Sequence, residues 1–298
     1  MKTGLLGVCV LLLFLPLMAQ ASDRLIPLDA PLQGDDFLEA RQLRERQVRQ
    51  TLGPHPARRD LLPQWTGDRE DPQVLKVMVC RIAFESNRRP DLTSVPADGK
   101  FMAASDTIPA WLRRVDPAPH DRFYFDSHME ALDEFYRTMS YGNLELDWEI
   151  FPQAGGPFLM SDPADYGPGE DNYWTLDLLE SFCREAVAVV DSTLLLDQYH
   201  EFADYDVVLF FHAGSDLQSD LNYDSPNDLP SFNIFFGDSL GLPLVDGGLH
   251  SLASLVLLPE TTTQDVAGEG SPVGALNAVV AHEFGHQLGY VDTYDTWY

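Results

Sequence analysis

Apolar residues along this chain change their spacing in ways that mark its elements. Over residues 74–84, VLKVMVCRIAF is apolar at both parities except for Lys76 and Arg81, the pattern of a central strand covered on both faces. Beyond a Pro/Asp/Gly-rich loop, Met129, Leu132, Phe135, Tyr136 and Met139 recur at helical spacing. They predict a helix from about Ser127, capped by Asp126 or Ser127 and stopped at Gly142-Asn143. The period then drops to two, with Leu144, Leu146, Trp148 and Ile150 alternating with Glu145, Asp147 and Glu149, as in a strand with one wet face. A second amphipathic helix is predicted over about 173–190, with Leu178, Leu179, Phe182, Ala186 and Val190 inward. YDVVLFFHAG at 205–214 reads as another buried strand, and shorter strands are expected at 232–236 and 254–258, the second edging a cleft. Strands alternating with helices predict a layered α/β domain whose sheet is mixed but mostly parallel.

The last apolar stripe carries chemistry. Leu276, Val280, Phe284 and Leu288 are spaced by four on a helix that Ser271 can cap and Pro272 can open. At about 100° per residue, His282 and His286 lie roughly 40° apart and about half a turn from that stripe, so both imidazoles leave from the face opposite the core. HEFGH is H-E-x-x-H, two imidazoles for a zinc ion and a carboxylate beside them. Glu283, at the edge of the same face, reads as the general base that takes a proton from zinc-bound water while the metal polarises a scissile carbonyl.

A catalytic zinc takes three protein ligands and keeps one position open. No Glu follows Glu283, which leaves Asp292 and Asp295 as the downstream carboxylates. Gly289 permits a left-handed exit that swings Asp292 beneath the metal, and H-E-x-x-H-x-x-G-x-x-D favours Asp292 as third ligand. From the residue frequencies of the chain, that full string arises by chance in roughly one such sequence in ten thousand.

Composition changes the picture at both ends. Lys2 followed by an apolar run over 5–18 and the small-x-small Ala19-Gln20-Ala21 predicts a signal peptide at 1–21, hence a secreted protein with no membrane span after cleavage. Residues 22–72, rich in Arg, Pro and Gln and with one helix expected at about 36–52, read as a pro-segment or N-terminal arm. Cys9 leaves with the signal, and Cys80 and Cys183 either form one disulfide or stay as two buried thiols. The net charge is -28, and from 138 to 298 there are 27 Asp plus Glu against the single basic Arg184, so nucleic acid is excluded as a partner by phosphate repulsion. The acidity serves solubility by default; calcium, basic substrate side chains or a saline habitat are the sharper readings. Asp162 to Asp171 and Asp216 to Asp228 cluster oxygen ligands for calcium without matching the D-x-D-x-D-G loop. His212 reads as closing a buried strand rather than binding metal, and His128 and His250 as surface positions.

HEFGHQLGYVDTYDT at 282–296 resembles the zinc motif of the immune inhibitor A type secreted metallopeptidases (peptidase family M6), which belong to the metzincin-like zincins. FYFDSHMEALDEFYRTMSYGNLEL at 123–146 is similar to that family's helix, SYG turn and strand, and EFADYDVVLFFHAGSD at 201–216 to its acidic segment and HAG strand. The resemblance implies a zincin catalytic subdomain over 73–298 with an HExxH active-site helix, made as a precursor with a pro-segment and often stabilised by calcium. It assigns zinc to His282, His286 and Asp292 and the general base to Glu283. Two departures stand out. The Asp-rich insertion before the HAG strand is shortened, since Asp204-Tyr205-Asp206 runs straight into Val207. The family continues past the third ligand into a subdomain with a methionine turn, whereas all seven methionines here lie at or before Met160, so the expectation is an upper subdomain without its C-terminal partner.

The expected function is a secreted zinc endopeptidase acting on protein or peptide substrates. The alternatives are a catalytically incomplete zinc-binding homologue or secreted binding protein, and a zinc hydrolase of non-peptide esters or amides.

Overall fold

The computed structural model describes residues 72–104, 117–168, 174–197, 201–220, 224–237, 241–263 and 276–290. The expected signal peptide, almost all of the 22–72 arm, the capping pair Ser271 and Pro272, and the carboxylates Asp292 and Asp295 lie outside those residues. No helix among the described residues is long and apolar enough to cross a membrane.

The doubly apolar segment forms strand β1 (Gln73–Phe84), with everything from Val77 to Phe84 buried. Lys76 stays exposed, and buried Arg81 sends its guanidinium to the Pro152 carbonyl at 3.3 Å, so neither cation interrupts the strand. Strands β2 (Leu144–Phe151) and β3 (Phe158–Met160) pair in parallel with successive parts of one edge of β1. On its other edge lies β4 (Val207–His212), also parallel. β5 (Phe232–Phe235), the small hairpin of β6 (Leu244–Val245) and β7 (His250–Ser251), and β8 (Ser254–Pro259) complete the strands. The main sheet runs β2-β1-β4-β8-β5, with β5 alone antiparallel.

Three helices cover this six-stranded, mostly parallel sheet: α1 (Arg122–Met139), α2 (Leu176–Asp197) and α3 (Leu276–Gln287). α1 packs on β2 and on α3, and α3 on β8 and β5. Phe125 of α1 meets Phe211 at 4.9 Å between ring centroids, whereas Phe182 of α2 meets Phe84 at 6.4 Å. Phe211 and the Phe84 row alternate along paired strands, so α2 lies on the opposite face from α1 and α3.

Both short strands are present: 254–258 is buried as β8 between β4 and β5, and 232–235 is β5 at the edge of the sheet. An apolar Leu-Val-Leu-Leu run fits a strand covered on both faces, which the two-residue alternation could not rank against FNIF. α1 starts five residues early. Asp121 caps it, accepting from the Phe123 and Tyr124 amides, while Asp126 takes the Trp148 indole N–H at 2.8 Å and Ser127 bonds back to the Phe123 carbonyl. α2 outlasts its predicted end, burying Leu194 in an added turn. Of the two cysteine alternatives, the structure has the free thiols: Cys80 on β1 and Cys183 on α2 are buried and unbridged, and burial raises the pKa of both.

Candidate metal centre

The four-residue stripe is the buried face of α3, with Leu276, Val280, Phe284 and Leu288 each at most 5% exposed. Phe284 meets Tyr136 of α1 at 5.1 Å between centroids, and the Tyr136 hydroxyl donates to the Ala281 carbonyl at 2.7 Å. A Cβ on Gly285 would lie 3.0 Å from that hydroxyl, so the glycine inside the histidine motif lets the two helices close. Burial raises the Tyr136 pKa and keeps the phenol a neutral donor.

The two imidazoles converge. Their Nε2 atoms are 3.3 Å apart, with ring planes at 86°. Two nitrogens bound to one zinc at about 2.0–2.1 Å, at a tetrahedral angle, stand about 3.3–3.4 Å apart, so the pair fits a shared metal ion. His286 Nδ1 lies 2.9 Å from the Tyr290 carbonyl. With its proton on Nδ1 donated there, the ring presents the Nε2 lone pair to a metal.

The end of α3 explains that carbonyl's position. Gly289 has φ 85, the Gly289 amide donates to the His286 carbonyl at 3.0 Å and the Tyr290 amide to the Gly285 carbonyl at 3.0 Å. These bonds form a Schellman turn, which folds the backbone back beneath His286. The left-handed exit expected at Gly289 is therefore present. Glu283 Oε1 lies 3.9 Å from His282 Nε2, in a side chain that is largely buried. Asp292 lies outside the described residues, so His282, Glu283 and His286 are the site residues brought together here. The arrangement can seat one divalent cation on two imidazoles, with a carboxylate alongside.

Sequence reasoning missed the polar groups that anchor this face. Gln287, 1% exposed, donates to Asn233 of β5 and accepts from the Ser254 hydroxyl of β8 at 2.9 Å, which ties the helix to the sheet edge. A glutamine beside the Phe284–Leu288 stripe was the available signal. Asp216, buried after β4, accepts from the amides of Gln218 at 2.9 Å and Ser231 at 3.2 Å and from the Ser231 hydroxyl. Burial pushes its carboxyl up to about 6 against those hydrogen bonds, and the charge of nearby Glu283 adds to the rise.

Other expectations for titratable groups divide. His212 is buried at the end of β4, in keeping with its reading as a strand closer. His128 stays partly exposed at the surface, where α3 brings Asn277 Oδ1 against its Nδ1. His250 is exposed, and with Glu201 and Asp246 it forms a group whose ligand atoms all lie within 4.8 Å of one another and could hold a metal ion. Both Asp246 oxygens there already accept from the backbone, at Phe202 and Ala203. In the acidic loops, Asp162 takes the amides of Arg88 and Ala164, Asp220 those of Asp224 and Ser225, and Asp228 the Thr93 hydroxyl and the Ser94 amide. The described carboxylates therefore organise loop backbone.

Compared with known proteins, the chain matches no family model and no curated sequence.

Proposed function

We propose that the chain is a secreted zinc-dependent endopeptidase of the zincin type. The observation that carries the reading is the 3.3 Å approach of His282 and His286 Nε2, with the His286 tautomer set by the Tyr290 carbonyl. The ligands would be His282 and His286, with Asp292 as the third. Zinc bound there would supply a Lewis acid that polarises a substrate carbonyl and lowers the pKa of water.

The chain's own residues account for the rest. Glu283, held in a largely buried position beside His282, accepts the proton of the attacking water and can return it to the departing amine. Asp216 places a second carboxylate near Glu283, and this electronegative surround favours a bound cation. Substrate geometry follows from the sheet. β5 ends it on the side where α3 packs, and an extended peptide can add alongside as a further strand. That edge favours a peptide over a small ester or amide.

The test is elemental analysis for zinc together with hydrolysis of casein or a quenched peptide, for the wild type beside Glu283→Ala and His282→Ala. The expected result is one zinc in the wild type and in Glu283→Ala, little in His282→Ala, and hydrolysis in the wild type alone. Zinc without hydrolysis in the wild type would leave a non-catalytic zinc-binding homologue. Absence of zinc from the wild type would overturn the site.

A further inference from the structure

A small cavity lies where β1 and β4 end, roofed by the loops that carry Thr93, Tyr166 and Asn227. Its walls are Phe84, Thr93, Tyr166, His212, Asn227 and Leu229, and its room for water centres is ≈ 10 Å³. That is about the space of one water molecule.

The hydrogen-bond accounting around it is incomplete in a specific way. His212 is 1% exposed, with Nδ1 3.0 Å from the Ala213 carbonyl. Nδ1 therefore carries a proton and donates it, and burial holds the ring neutral by lowering its pKa to about 4. Nε2 is then a pure acceptor, and it has no protein partner. Asn227 is 3% exposed, and neither its Nδ2 nor its Oδ1 has one. The amide is also pinned, because the Gly167 backbone packs against it so closely that a Cβ there would lie 3.0 Å from Asn227 Cγ. Buried polar groups in native proteins are almost always satisfied, and those with no protein partner are commonly served by internal water.

We propose that this cavity is the site of one structural water held jointly by His212 and Asn227. The water donates one hydrogen to His212 Nε2 and accepts from Asn227 Nδ2. Its second hydrogen goes to Asn227 Oδ1 or to a lone pair of the Thr93 hydroxyl, which itself donates to Asp228 at 2.7 Å. Three bonds are the usual number for an internal water. A metal ion fits less well, since the lining offers no carboxylate and only neutral donors. The consequence is architectural: the water ties the loop at 224–229, which runs directly into edge strand β5, to the end of β4 in the middle of the sheet.

The direct test is a crystal structure of the wild-type protein at about 1.6 Å or better. A peak within hydrogen-bond distance of both His212 Nε2 and the Asn227 amide is expected; a cavity without density, or either side chain turned to a protein partner, would overturn the proposal. Thermal unfolding supplies a second test, with His212→Leu, Asn227→Leu and the double variant. Each single change leaves the water and the opposite residue short of a partner, whereas the double change removes both needs. The double variant should lose clearly less Tm than the two singles added together, and additive losses would also count against a shared water.

Discussion

Glu260 sits at the end of β8 with 2% of its surface exposed, and replacing it should cost more than any other single polar change in the described fold. Its Oε1 accepts from the Met102 amide at 2.5 Å and from His120 Nδ1 at 2.7 Å, and its Oε2 accepts from the Gly214 amide at 3.0 Å. These donors are 158, 140 and 46 residues away in sequence, so one carboxylate joins the loop before α1, the start of α1 and the turn after β4. In Glu260→Ala all three lose their acceptor in a dry setting. An unsatisfied buried donor costs about 1–3 kcal/mol, more where the lost acceptor is a carboxylate, and three donors are stranded at once. The losses share one site and do not add, so the expected destabilisation is about 3–5 kcal/mol. For a domain of this size that corresponds to a Tm lower by roughly 6–20 °C. Glu260→Gln keeps the shape and one acceptor, but with its oxygen serving Met102 and His120 its amide points hydrogens at the Gly214 N–H, at a cost of about 1–3 kcal/mol. Urea unfolding of the three proteins checks the order wild type, Gln, Ala. An alanine variant within about 1 kcal/mol of wild type, or a glutamine variant equal to it, would refute the reasoning.

Burial raises the Asp228 carboxyl to about 7 from 3.8. A raised carboxyl stabilises the fold below its unfolded pKa and loses that contribution as pH climbs towards 7, about 4 kcal/mol in all. Asp228→Asn, which cannot ionise, should therefore gain on the wild type between pH 4 and pH 7 and hold a constant difference above; urea titrations at pH 4.5, 6 and 8 with a pH-independent gap would contradict this. Gly289→Ala puts a side chain at φ 85, which costs about 1–2 kcal/mol and shifts the carbonyl that orients His286. On the proposed zinc site, affinity read by chelator competition should fall about 10-fold or more. Gln287→Leu leaves Asn233 and Ser254 without their shared partner, for a loss of about 1–3 kcal/mol, and amide exchange should quicken first along β5.

Much of the site was legible because its information is local. H-E-x-x-H puts two imidazoles one turn apart whatever surrounds the helix, and Gly289 announces its left-handed exit in the sequence itself. Hidden were the residues whose meaning depends on distant partners. Glu260 is one acidic residue among many until Met102, His120 and Gly214 are seen around it. His128 is a surface histidine whose partner, Asn277, only the packing of α3 supplies.

By itself the sequence determined where β1, β2, β4 and α3 lie, which stripe of α3 faces inward and which residues could bind a metal, because spacing of two or of about 3.6 is a property of the chain within a few residues. Tertiary structure alone decided that β5 and not β8 forms the sheet edge, that Cys80 and Cys183 remain apart, that Asp216 is buried near Glu283, and that the two histidine nitrogens stand 3.3 Å apart. Those outcomes depend on which surfaces exclude water together. That is set by contacts between elements tens to more than a hundred residues apart, and no local period records them.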